Sequence, residues 1–130
     1  MWRAFGALIA AMIWWAVVAT AIHRFACAVW PEYAAATPLL AFTLPMKIFR
    51  LLLGAFSTLS AGALARYISP ARWIPLALGC ILVAVFLPEH YKLWGRFPVW
   101  YHLTFLCTLI PLAVIGARLP RMQGLQTPRT

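Results

Sequence analysis

Two groups of side chains in this sequence have the types and spacing to do chemistry. Lys47 and Arg50 stand three residues apart in an apolar stretch, so a helix there carries both cations on one face. Cations held among apolar residues of that kind attract an anion. Arg50 falls about 7 Å along such a helix from Pro45, which leaves three readings open. Its side chain can snorkel to an interface. It can clasp Glu32 or Glu89, the only two carboxylates in the chain and so the candidate ion-pair partners. With His23, Arg24 and Lys47 it can also form a basic pocket for a small anion or a lipid headgroup, whose candidate residues are Arg24, Lys47 and Arg50. The second group is Glu89, His90, Trp100, Tyr101 and His102. Glu and His exchange protons when they converge within hydrogen-bond reach, and otherwise such residues anchor a chain at an interface.

Reactive signatures are missing elsewhere: no nucleophile–base pattern, Gly-rich phosphate loop, zinc-protease or deaminase motif occurs in the sequence. Cys27, Cys80 and Cys107 fit no metal-ligand spacing and are expected to serve as small buried hydrophobes. Catalytic residues, cofactor and metal are therefore all expected to be absent, and the chain reads as non-enzymatic.

The elements that must position these groups follow from composition. Of 130 residues, 65% are hydrophobic and 10% charged, too few charges to cover the surface of a soluble domain this small. The fold class expected is all-α, an integral membrane protein whose solvent is the lipid bilayer. Lys and Arg number 11 against two acids, for a net charge of +9. The basic residues are scattered singly between apolar runs, which argues for membrane orientation and against nucleic acid as a partner. Four transmembrane helices, arranged as two helical hairpins, are expected at about 4–22, 44–65, 73–88 and 98–117, forming one domain over 1–119. The first apolar run is longer than a signal-peptide core, so it reads as a span. Pro45 and Pro75 suit first helical turns, and Pro111 is expected to kink the fourth span. A short basic cytoplasmic tail is expected over 120–130.

Four spans leave both termini on one side, with Arg3, Arg66, Arg72, Arg118, Arg121 and Arg129 and no acid. Positive-inside orientation then makes that side cytoplasmic. Trp30, Tyr33, Tyr91, Trp94, Trp100 and Tyr101 gather on the outer side, as an aromatic belt does. The second span carries a stripe at four-residue spacing, Arg50, Gly54, Thr58, Gly62 and Arg66, of which Gly54, Thr58 and Gly62 form a helix-packing face. Its neighbour can be in the same chain, in a second copy or in another membrane protein. Gly6, Ala7, Ala10 and Ala11 give the first span a smaller face of the same kind. Val29-Trp30-Pro31-Glu32-Tyr33 is echoed by Phe86-Leu87-Pro88-Glu89-His90-Tyr91, and Leu44-Pro45 by Phe97-Pro98. A duplicated helical pair, both copies in the same orientation, is one source of that echo, and ordinary helix ends at an interface are the other.

The run Leu87-Pro88-Glu89-His90, then Leu93 through His102, then Pro111 and Gly116-Ala117-Arg118-Leu119, resembles a family of small uncharacterised four-helix bacterial inner-membrane proteins. The resemblance covers most of the chain, including Ala41-Phe42-Thr43-Leu44-Pro45. It implies a multi-pass protein of the cell inner membrane and supplies no activity. Gly62-Ala63-Leu64-Ala65-Arg66-Tyr67 is similar to a stretch of dimeric fluoride channels, but it ends the second span rather than the first, and the polar elements of those channels are missing. Small multidrug transporters have similar length and span count, but the acid they carry in the first span has no counterpart in 4–22. Two functions are thus expected: a non-enzymatic accessory, structural or interaction protein, or a transporter or channel component for a small anion or lipid headgroup using the outer-side basic pocket.

Overall fold

A computed structural model gives the fold, and it describes residues 1–120. The described residues form helices and connections: α1 (Trp2–Val29), α2 (Pro31–Ala36), α3 (Leu44–Ile68), α4 (Ile74–Lys92) and α5 (Val99–Gly116). All but α2 are long and apolar enough to cross a membrane. The basic tail expected from 120 onward lies, from 121, outside the described residues.

Prolines place most boundaries. Pro31, Pro45 and Pro75 stand in the first turns of α2, α3 and α4, where a missing N–H costs nothing. Trp30, directly before Pro31, is held out of the helical region at φ −125°, ψ 89°, and this separates α2 from α1. The first apolar helix nonetheless runs seven residues past its expected end at 22, because nothing from His23 to Val29 breaks a helix. The third, expected to 88, continues through Pro88 to Lys92, and α5 continues through Pro111. The two Pro-Glu segments thus differ in backbone, one opening a new helix and the other lying inside an old one.

Consecutive long helices run antiparallel. Arg3 at the start of α1 donates to the Ile68 carbonyl at the end of α3 (3.1 Å), and His90 near the end of α4 meets His102 near the start of α5. The helices α3 and α5 run parallel through the middle of the bundle, touching at Gly54 with Phe105 and Gly62 with Ala113. Their contact is reciprocal: Gly62 lies against the Ala113 backbone, and Gly116 lies against the Leu59 backbone. Residues 59 and 62 therefore stand to 113 and 116 as 113 and 116 stand to 59 and 62, the pattern of a local two-fold axis. The stripe on α3 is thereby covered from within the chain. Gly62 faces α5, while Thr58 accepts the Trp15 indole N–H of α1 at 3.0 Å and donates to the Gly54 carbonyl at 2.7 Å.

Two clusters of buried residues fill the interior. One is built on Ala4, Ala7, Ala11, Ala61, Ala65 and Ala113, with Ile74, Leu78, Leu82, Phe105 and Leu109. The other is aromatic, with Tyr33, Phe42, Phe97 and Tyr101 beside Ala26, Ala36 and Met46. Gly6 has open space beside it, so the packing face of α1 is the Ala4, Ala7, Ala11 stripe. Cys80 and Cys107 are exposed and Cys27 is partly exposed, contrary to the burial expected of them. In a bundle whose exterior is apolar, a thiol is as much at home on the outside as in the core.

Candidate functional site

The aromatic cluster lies where α1 ends, α3 begins, α4 ends and α5 begins, and its centre is Tyr33. After Trp30 breaks α1, the single turn α2 turns Tyr33 inward to zero exposure while Glu32 stays outside. Thr37 closes that turn by donating its hydroxyl to the Tyr33 carbonyl at 2.8 Å. Leu40 then takes a left-handed backbone (φ 54°), costly for a residue with a side chain by about 1–2 kcal/mol, and the chain turns back so that Phe42 is buried against Tyr33. Trp30 stacks on the Tyr33 ring at 5.5 Å, and Phe49 meets it edge-on at 5.4 Å.

Arg50 reaches into this cluster from α3. Its Nη1 donates to the Tyr33 hydroxyl at 3.2 Å and its Nε to the Tyr101 hydroxyl at 3.4 Å, while its guanidinium carbon lies 4.6 Å from the centre of the Phe42 ring. With its oxygen accepting from Arg50, the Tyr33 hydroxyl hydrogen goes to His23 Nδ1 at 3.0 Å. His23 then carries its proton on Nε2, which faces Cys27 Sγ at 3.7 Å. Burial pushes the Tyr33 phenol above its ordinary range, against the pull of Arg50, so it stays the neutral hydroxyl this network requires.

On the other side of Tyr101, the rings of His90 and His102 meet Nδ1 to Nδ1 at 2.8 Å. One hydrogen fits between two nitrogens at that separation, so one ring donates and the other accepts. His102 is fully buried, stacked on Trp94 at 4.8 Å, and its Nε2 has no hydrogen-bond partner among the described residues. His90 stacks on Tyr101 at 6.1 Å and on Phe105 at 4.7 Å.

These groups line a cavity of about 470 Å³. Arg50, His23, His90, His102 and Tyr101 are on its wall with Trp15, Leu53, Phe86, Phe97 and Phe105, and Thr20 and Glu89 stand at its margin. Of the four residues expected to share a basic pocket, the structure brings Arg50 and His23 to it. Arg24 is exposed on α1, and Lys47 is partly buried away from the cavity wall. Neither expected carboxylate clasps Arg50. Glu32 is exposed, and Glu89 is paired with Lys92 at 3.0 Å in the one ion pair among the described residues. Three residues separate that Glu and Lys on one helix, which makes theirs the nearer match. Of the second group, His90, His102 and Tyr101 converge, while Glu89 and Trp100 face outward. Trp15 closes the inner end, 4.7 Å from Phe86, whereas Trp14 is exposed. Among the described residues no three His, Cys, Asp or Glu side chains are grouped to hold a metal ion.

Sequence reasoning assigns Tyr33 to an aromatic belt and gives Phe42 no role. The echo between the two halves holds the missing signal, since Pro31-Glu32-Tyr33 aligns with Pro88-Glu89-His90, and in both the acid is outside and the ring inside.

No protein-family model matches this chain, and no curated protein or solved structure is similar to it.

Proposed function

We propose that the protein crosses a bacterial inner membrane as two helical hairpins, α1 with α3 and α4 with α5, both termini in the cytoplasm, and that the cavity at the outer end binds an anion through Arg50. The six Arg residues of the terminal side support the orientation. One observation carries the binding role: the Arg50 guanidinium on the cavity wall is held by two phenols and an aromatic face, with no carboxylate paired to it among the described residues. Neutral hydrogen bonds orient a buried charge without cancelling it, and two of the five guanidinium N–H groups are used. An anion, as a small solute or as the acidic part of a lipid headgroup, completes the site with charge-assisted hydrogen bonds.

A binding role, in transport or as part of a larger assembly, fits these side chains better than catalysis. His90 and His102 are engaged with one another, and Glu89 is held outside by Lys92. The interaction-protein reading rests on the small stripe of α3 and on the lack of a reactive constellation, and α5 of the same chain covers that stripe.

The test is a titration of the purified protein with phosphate, acetate and octanoate, followed by tryptophan fluorescence. Wild type is expected to bind at least one of them saturably, and Arg50→Gln to bind it at least about tenfold more weakly, the loss of one charge-assisted contact. Arg24→Ala and Lys47→Ala are expected to bind like wild type. Equal binding by Arg50→Gln, or no binding of any of the three, overturns the proposal.

A further inference from the structure

We infer that the ligand of this cavity is an amphiphilic monoanion, a single acidic group on one apolar chain or ring, taken up as a free molecule and not as part of a two-chain phospholipid. The inference rests on the anion-binding reading of Arg50 and adds what the rest of the wall selects.

Size is the first consideration. About 470 Å³ lies in the range that encloses a drug-sized ligand, far more room than an inorganic ion on one guanidinium occupies and too little for two acyl chains with their headgroup. The wall is the second. Away from Arg50 the cavity is faced by Trp15, Leu53, Phe86, Phe97 and Phe105. Such a surface offers a small hydrated anion no replacement for its water, but it shelters an apolar body. Leu53 and Gly54 lie about one helical turn beyond Arg50 on α3 and both line the cavity, and because Gly54 has no side chain the Phe105 ring sits directly against α3 and leaves the space beyond Arg50 open. A ligand anchored at Arg50 therefore extends its apolar part toward the Trp15–Phe86 contact at the inner end.

Charge is the third consideration. The charged residues on or at the cavity are Arg50 and Glu89, and Glu89 is neutralised at the margin by Lys92. The remaining titratable groups are His23, His90, His102 and Tyr101, with Tyr33 behind Arg50. One fixed cation calls for one negative charge. The opening is the fourth: Thr20 on α1 and Glu89 on α4 are both exposed and both border the cavity, so its mouth lies between these two helices. With the exposed Glu89–Lys92 ion pair in the last turn of α4 at its edge, that mouth sits at the headgroup level of a bilayer, where a dissolved amphiphile holds its acidic group.

The experiment places the full chain in nanodiscs of phosphatidylcholine and titrates octanoate, octanol, acetate and inorganic phosphate, subtracting partition into empty discs. Octanoate is expected to saturate, with octanol, acetate and phosphate each at least about tenfold weaker. Thr20→Trp, at an exposed position that leaves the core untouched, is expected to weaken octanoate at least about fivefold by narrowing the mouth. Acetate or phosphate matching octanoate, with Arg50→Gln abolishing both, overturns the amphiphile while leaving the anion site standing. Octanol matching octanoate, with Arg50→Gln indifferent, removes the anion site and this inference with it. Displacement of octanoate by phosphatidylglycerol in the discs makes a bilayer lipid the occupant and overturns the free molecule. Should Arg50→Gln fail to fold, the ligand series on wild type and Thr20→Trp decide the matter.

Discussion

The two ends of this bundle use the same helices in opposite ways. At the end where α1 starts and α3 and α5 finish, α3 and α5 meet backbone to backbone: Gly62 against Ala113, Gly116 against Leu59, with Ala4, Ala7, Ala11, Ala61 and Ala65 around them. At the other end the contacts are between rings, with Tyr33, Phe42, Phe97 and Tyr101 packed about one guanidinium, and a cavity remains between them. Small side chains let helices approach closely and leave only a cavity of about 210 Å³ beside Arg66, Arg72 and Arg118, less than half the space that remains between the rings at the other end. One end is thus closely packed helix against helix, and the other keeps the larger space.

The sharpest way to break that contrast is to thicken the tight end. A methyl group at Gly62 collides with the Ala113 backbone, which cannot turn aside as a side chain can. Gly62→Ala is therefore expected to cost at or above the upper end of the ~1–3 kcal/mol of ordinary overpacking, read as a lowered unfolding midpoint in detergent. An unchanged midpoint would mean that α3 and α5 do not touch there.

The loose end is held by polar contacts, and its expected response is smaller and depends on pH. Tyr33→Phe removes the acceptor for Arg50 and the donor to His23, at about 1–3 kcal/mol for the groups left short. Because burial raises the Tyr33 phenol, the folded state holds its proton more tightly than the unfolded chain does. The resulting stability is fully present below the ordinary phenol value of 10.0 and is lost as pH rises from there through the folded value. Wild-type stability is thus expected to fall above about pH 10, and Tyr33→Phe to fall less steeply over the same interval. Equal alkaline slopes for the two proteins would place that hydroxyl in water.

Gly54→Ala gives the smallest expected effect and sharpens the comparison most. It is the same change on the same stripe two turns away, but the new methyl meets the edge of the Phe105 ring at 2.7 Å, and a ring beside a cavity can move. The gain of about 1 kcal/mol in helix propensity offsets that shift, so stability is expected to stay within about 1 kcal/mol of wild type. A loss as large as that of Gly62→Ala would show the ring end to be as tightly packed as the other.

Several of these features are legible in the order of the residues alone. The apolar runs and the prolines at their starts mark the number of long helices and most of their first turns, since both are local properties of the chain. The stripe from Gly54 to Gly62 announces close packing, because four-residue spacing puts small residues on one face. Arg50 stands out because a charge in an apolar helix must be answered by something. The identity of its partners is not legible. An ion-pair search points from Arg50 to Glu32 and Glu89, and the structure answers with two phenols from distant segments, while Glu89 takes the nearest cation on its own helix. The convergence of His90 with His102 is equally hidden, because it depends on how α4 and α5 cross.

What the sequence determined by itself is an apolar excess that must avoid water and the elements the protein is made from: composition sets how much apolar surface there is, and helix periodicity and proline act within a few residues. Only the tertiary structure decided that Gly62 meets Ala113, that Tyr33 and Tyr101 hold Arg50, and that a cavity remains between the rings. Those are contacts between residues 17 to 51 positions apart, fixed by which helix faces meet and by the shapes of the side chains that fill the space.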